Sequence, residues 1–419
     1  MDPITITIVI TATVFCIYMA WNIGANDVAN AMGTSVGSKA LTIKGAILVA
    51  AIFEFSGAVF IGSRVTDTIR RGMVDTTIFV GEPMTLVYGM MAALLAAAIW
   101  LNIATKYGLP VSTTHSIVGA VTGFGIIAGG FGAISWGTMA KIVSSWAVSP
   151  LSGGIMAFIL FNFVNKKIIN ADDPLKALTL YVPILVFIVI TIIGIAVFYE
   201  GLASLDLAIT FWQTLALAGG TGIAVSLWTM NFINKVIARR DPETLDRFNF
   251  IEYIFKYLQI LTACYVALAH GSNDVANAVG PFAAIISIVQ TGSVLGKTEV
   301  PIWILAMGGI GIVVGLATYG YKVIETIGRK ITELTPSRGF SAEFGAATTV
   351  LIASKLGIPI STTHTLVGAV IGVGFARGIS ALDFRIVRNI FSSWFITLPA
   401  TMIISMILFL IFRFVFGTS

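Results

Sequence analysis

The stretch Y-M-A-W-N-I-G-A-N-D-V-A-N-A-M-G, Tyr18 to Gly33, returns 247 residues later as Y-V-A-L-A-H-G-S-N-D-V-A-N-A-V-G, Tyr265 to Gly280. Outward from it a second pair appears. K-Y-G-L-P-V-S-T-T-H-S-I-V-G-A-V begins at Lys106, and K-L-G-I-P-I-S-T-T-H-T-L-V-G-A-V begins at Lys355, 249 residues on. The short S-S-W of Ser144–Trp146 recurs at Ser392–Trp394, an offset of 248. Three echoes in one order at nearly one offset mark an internal duplication. It divides the chain into residues 1–165, a connecting piece 166–249, and residues 250–419.

The solvent of this duplicated chain follows from its composition. Of 419 residues, 57% are hydrophobic and only 11% are charged. Soluble domains carry roughly 25% charged residues, so lipid must coat most of this surface. Leu178 to Phe198 and Leu207 to Ile233 are uncharged, each long enough to cross a hydrocarbon core needing about 20 apolar residues. Runs of this kind predict on the order of a dozen membrane segments and an all-α, multi-span helical bundle. The first run, Thr5 to Trp21, lacks the basic leader and cleavage site of a signal peptide and reads as a membrane helix. The net charge of +5 is scattered over short loops, which excludes a nucleic-acid patch. The connection Lys235–Lys256, with Arg239, Arg240 and Arg247, is expected in the cytoplasm. Cys16 and Cys264 lack the partners of a disulfide or metal site and read as small buried hydrophobes.

Polar residues inside such segments are costly, so they mark function. One group is Asn22, Asn26, Asp27 and Asn30, echoed by Asn273, Asp274 and Asn277. Spacings of three and four place them on one side of a helix. Gly24 and Gly271 precede the Asn-Asp pairs and permit the helix to break there. Unwound carbonyls together with Asn and Asp oxygens would suit a hard cation such as sodium. The second group is Ser112, Thr113 and Thr114 after Pro110, echoed by Ser361, Thr362 and Thr363 after Pro359. A breaker followed by hydroxyl caps predicts a helix N-terminus. Inside a membrane that end presents N–H groups and a positive dipole to an anion. Glu54 and Glu343 lie deep in other apolar runs, at positions the duplication does not relate, and are candidate cation ligands or titrating groups. His115, His270 and His364 read as structural residues; His270 stands where the first copy has Ile23.

These groups contain two aspartates, and the lysines of the motifs, Lys106 and Lys355, sit four residues before the prolines. Repulsion between an anion and two carboxylates in low dielectric amounts to several kcal/mol, and helix ends offer only partial charges. Cations bound beside the anion can offset it. Anion–cation symport is therefore expected over anion uniport.

With the G-A-N-D-V-A-N-A, G-S-N-D-V-A-N-A and paired P-x-S-T-T-H motifs, the chain resembles the inorganic phosphate transporter (PiT) family of sodium- or proton-coupled symporters, over nearly its whole length. The resemblance implies inverted-topology repeats, re-entrant helical hairpins and phosphate as substrate. It places Asn26, Asp27, Asn273 and Asp274 with the hydroxyls of residues 112–114 and 361–363 around phosphate and cation. It also matches essential acidic residues of the family to Glu54, in I-F-E-F-S-G-A, and Glu343, in F-S-A-E-F. The expected sodium ligands are thus Asn22, Asn26, Asp27, Asn30, Glu54, Asn273, Asp274, Asn277 and Glu343. No cofactor is expected beyond the co-transported Na+ or H+, and no enzymatic activity, since no nucleophile–base signature stands out. Proton coupling and a passive anion channel stay open as alternatives. The expected partners are phosphate, sodium ions and the bilayer of the cell membrane, and a homodimer is compatible with such a chain. Hydropathy leaves open which segments span and which dip in.

Overall fold

The computed structural model describes residues 3–201, 209–239, 246–294, 300–321, 323–324, 333–378, 380 and 382–417. Among them no strand forms, and the chain is helical nearly throughout. Helix α1 (Pro3–Ile23) passes through a wider π-helical turn at Gly24–Val28 into α2 (Ala29–Gly37). Then follow α3 (Ile43–Ile61), the short α4 (Ser63–Arg71), α5 (Pro83–Lys106), α6 (Thr113–Gly129) and α7 (Trp136–Val164). The connecting pair is α8 (Pro174–Ala196) and α9 (Phe211–Ala238). The rest of the chain supplies α10 (Arg247–Thr291), α11 (Ile302–Tyr319), α12 (Pro336–Lys355), α13 (Thr362–Arg377) and α14 (Phe384–Phe416). Nine helices among the described residues are long and apolar enough to cross a membrane. Helices α6 and α13, with 17 and 16 residues, reach only about 25 Å at 1.5 Å per residue, short of a core about 30 Å thick. Each pairs with its predecessor as a helical hairpin.

The two hairpin turns follow from local sequence. Helix α5 ends where the Leu109 N–H reaches the Ala104 carbonyl at 3.0 Å, and α12 where the Ile358 N–H reaches Ala353 at 2.9 Å. This is a glycine-terminated C-cap. Gly108 and Gly357, at φ +65° and +66°, supply the left-handed residue it needs, which a Cβ disfavours. Pro110 and Pro359 prevent continuation. Ser112 and Ser361 then open the next helices, each accepting from the backbone N–H of the histidine three residues on at 3.1 Å. Each capping bond of this kind stabilises a helix start by about 1 kcal/mol. The second turn is also clasped by α4, where Arg64 Nη1 donates to the Lys355 carbonyl at 3.0 Å and Thr68 Oγ1 to that of Gly357 at 2.7 Å.

The short helices exchange partners between halves. A Cβ added to Gly119 of α6 would meet the Leu398 carbonyl of α14 at 2.7 Å, and one on Gly123 would meet that of Met402 at 2.5 Å. Gly368 and Gly372 of α13 lie equally tight against the carbonyls of Pro150 and Gly154 on α7. Small residues four apart allow such backbone contact between membrane helices. The first half's short helix thus packs on the second half's last helix, and the reverse holds. This crossing brings both hairpin turns to the middle of the molecule.

The expected helix break at the Asn-Asp pairs is corrected. The first copy widens by one π turn, whereas the second runs unbroken through α10, a helix of 45 residues. The glycines serve close crossing instead of unwinding. A Cβ on Gly24 would run into the Ile312 carbonyl of α11, and one on Gly271 into the Glu54 carbonyl of α3.

Candidate functional site

Four segments converge in the interior: the two Asn-Asp turns and the two Ser-Thr-Thr helix starts. Asn26 binds the first hairpin turn. Its Nδ2 donates to Thr105 Oγ1 at 2.8 Å and to the Leu109 carbonyl at 3.1 Å, while its Oδ1 accepts the Val111 N–H at 3.2 Å. Asn273 takes the equivalent place in the second half, its amide nitrogen 3.2 Å from Ser354 Oγ and 3.3 Å from the Ile358 carbonyl. Turning that amide over puts its nitrogen 3.2 Å from both the Ile360 carbonyl and Asp274 Oδ1. In either orientation it ties α10 to the turn. Both asparagines hold the hairpins in place, so their reach toward an ion is limited by bonds already made.

The aspartates face the hydroxyls. Thr113 donates to Asp27 Oδ2 from its Oγ1 at 2.5 Å and from its N–H at 3.3 Å. Thr362, its repeat equivalent, donates to Asp274 Oδ2 at 2.6 Å. Other bonds cross between halves. Thr363 Oγ1 donates to Asp27 Oδ1, and Thr114 Oγ1 to the Ile360 carbonyl at 2.8 Å. Asn277 Nδ2 lies 3.1 Å from Thr113 Oγ1 and 3.3 Å from Thr114 Oγ1. Asp27 is 2% exposed and Asp274 fully buried, so these bonds form away from water, where they are strong.

A histidine that sequence reasoning set aside completes the cluster. His270 Nδ1 lies 3.0 Å from Glu54 Oε2, and its Nε2 lies 2.7 Å from Asp274 Oδ2, in ion-pair contact off the hydrogen-bond line. With a carboxylate at each nitrogen, the ring in its protonated form would offset negative charge that the expectation had left to incoming cations alone. Glu54 is buried in this arrangement. The signal was the i,i+4 spacing of His270 and Asp274, which puts both on one face of a helix.

One oxygen each of Asp27 and Asp274 and a ring nitrogen of His270 lie within 4.8 Å of one another. Asn22 Oδ1, Asn277 Oδ1 and Glu54 Oε1 are buried acceptors with no hydrogen-bond partner, the type of oxygen a hard cation uses. The side chain of Asn30 lies outside the described residues. Glu343 has its own set of donors. Its carboxylate accepts from Ser35 at 2.6 Å, Thr34 and Thr262 at 2.7 Å and Gln259 at 3.1 Å. His115 and His364 back the hairpins: His364 stacks on Trp394 with ring centroids 3.4 Å apart, and His115 packs against Trp146 at 3.7 Å with its ring tilted by 45°.

Between Asp27, His270, Thr362 and Thr363 lies a cavity of about 20 Å³, the scale of a single water or ion. A tetrahedral oxyanion needs more room than this.

The sequence model of the phosphate transporter family matches residues 23–405. The chain belongs to this family. A Pyrococcus abyssi protein named as a phosphate permease is 49% identical over 391 residues, covering 93% of this chain and 94% of that one. The chloroplastic inorganic phosphate transporter 2-1 of Arabidopsis thaliana is 46% identical over 410 residues, covering 92% and 69% respectively. A solved structure described as the sodium-dependent phosphate transporter superposes with a TM-score of 0.87 at 43% identity, covering 98% of this chain and all of that one. Membership in the phosphate transporter family makes the chain a multi-pass membrane transporter of phosphate and not an enzyme.

Proposed function

We propose that the chain carries phosphate by sodium-coupled symport with alternating access, residues 1–165 and 250–419 acting as two inverted transport repeats around one shared site. The observation that carries this reading is the placement of Asp27 between hydroxyls of both halves, Thr113 and Thr363. In this site the threonine hydroxyls donate to carboxylates. When phosphate enters with cations, the same hydroxyls and the N-termini of α6 and α13 turn their donors to the anion. The carboxylates of Asp27 and Asp274, with the oxygens of Asn22 and Asn277, then take the cations. Each ion thereby creates the other's site, which is the physical basis of coupling. Protonated His270 contributes one fixed partner for Asp274 and Glu54, so the remaining charge to be balanced is smaller than the carboxylates alone would demand. Glu343 is proposed as a further sodium ligand, away from the phosphate, on the strength of its burial and its four neutral donors. The solved relative described as sodium-dependent supports sodium over protons.

Reconstituted uptake of labelled phosphate into proteoliposomes tests the reading. Accumulation against a phosphate gradient is expected with an inward sodium gradient and not with a proton gradient alone. Equal accumulation under either, or under neither, would assign proton coupling or a passive channel instead.

A further inference from the structure

Among the positions where the two halves differ is a matched pair beside the hairpins. In the first half, Trp100 of α5 lays its indole toward α14 and donates from Nε1 to Thr397 Oγ1 at 3.1 Å. The repeat offsets carry Trp100 to Thr349 of α12 and Ser149 of α7 to Thr397. Where the first half has an indole, the second has only a threonine. The Thr349 hydroxyl lies 2.9 Å from the Gly345 carbonyl of its own helix and 3.7 Å from Met156 Sδ on α7. Ser149, 3% exposed, holds a buried hydroxyl with no hydrogen-bond partner. Between α7 and α12 a cavity of about 460 Å³ remains, lined by Ser149, Thr349, Ile352, Ile358 and Ile360 among others.

We propose that this cavity is a binding site for a bilayer-dissolved aromatic molecule of the indole or phenol class, a flat ring bearing one N–H or O–H donor. The repeat itself supplies the template, because its other copy holds such a ring in covalent form, with the donor on the residue that matches Ser149. The bond to Ser149 Oγ satisfies a hydroxyl whose burial without a partner is costly. The mouth of the cavity includes Val148, Ile155 and Leu356, each more than half exposed on the outer surface of the bundle, so the ligand arrives sideways from lipid. Its inner wall is Ile358 and Ile360, whose carbonyls face Asn273 and Thr114. A ring seated there stiffens the second hairpin turn and slows phosphate uptake; this last consequence rests on the alternating-access reading above.

Titration of 5-fluoroindole into the protein in lipid nanodiscs, followed by 19F NMR, tests the site directly. Wild type should show one saturable site absent from empty nanodiscs. Thr349→Trp, which restores the missing ring, should abolish it, and Trp100→Thr should open a second site. Ser149→Ala, a change too small to unfold the bundle, should weaken binding by about fivefold, the worth of one hydrogen bond. Signals indistinguishable from empty nanodiscs, as expected if acyl chains or a second copy fill the groove, would overturn the proposal. So would binding that neither Thr349→Trp nor Ser149→Ala alters. Saturable binding without slower uptake would count against the transport reading and leave the site standing.

Discussion

Thr363 and Asp27 stand 336 positions apart in the chain, in opposite halves, yet the Thr363 hydroxyl donates to Asp27 Oδ1. The other oxygen of the same carboxylate takes Thr113 from its own half. One side chain therefore senses both hairpins. A motion that separates the hairpins must break one of these bonds, and a ligand that attracts the hydroxyls must compete with the carboxylate.

Asp27→Asn removes the charge that strengthens both bonds and turns half of the acceptor into a donor. Charge-assisted bonds contribute about 1.5–3 kcal/mol each, so sodium-driven phosphate uptake should fall by at least about a hundredfold. Initial rates of labelled phosphate uptake, normalised to protein in the membrane, measure this. Wild-type rates would remove Asp27 from the site.

The hydroxyls separate phosphate from cation. Thr114 donates to a carbonyl and not to a carboxylate, so Thr114→Ala should raise the phosphate KM by about tenfold, one lost bond to a charged group, and leave the sodium dependence where it was. Thr363→Ala also loosens Asp27 and should shift both. A sodium half-saturation that moves more than the phosphate KM in Thr114→Ala would reverse the assignment.

The hairpin turns were legible because each step has a local cause: Gly108 and Gly357 for the left-handed residue, proline to stop the helix, serine to start the next. The convergence of the Asn-Asp and Ser-Thr-Thr motifs was legible from their duplication. What the sequence hid are the distant pairings. Glu54 and His270 are 216 residues apart, and no echo in the first half hints at the contact, because Ile23 stands opposite. The four donors around Glu343 come two from α2, Thr34 and Ser35, and two from α10, Gln259 and Thr262, without a shared spacing. The helix break was misread because glycine serves unwinding and close crossing alike, and only the neighbouring helix distinguishes them.

Asn26 holds the first turn through three bonds, one of them from the buried Val111 N–H. Asn26→Ala leaves that N–H without its acceptor at a cost of about 1–3 kcal/mol. Hydrogen–deuterium exchange over residues 107–116 should speed up by about ten- to a hundredfold, with the peptides of α8 and α9 unchanged. Unchanged exchange at the turn would show that the hairpin is held by other contacts.

Glycine substitutions separate crossing from flexibility. Gly271→Ala would drive a methyl group into the backbone carbonyl of Glu54, which cannot swing aside as a side chain could. The helices α3 and α10 must part, and overpacking of this kind costs about 1–3 kcal/mol. Parting them also pulls Glu54 from His270, so uptake should fall along with thermal stability. On α9, Gly219 and Gly220 have no atom within 4 Å of an added Cβ. Alanine there should stabilise by up to about 1 kcal/mol through helix propensity and leave uptake intact. Detergent-solubilised thermal unfolding of the three variants decides the matter. If Gly271→Ala melted with or above wild type, the close crossing of α3 and α10 could not be what the glycine provides, and a need for backbone flexibility at the Asn-Asp turn would have to be reconsidered.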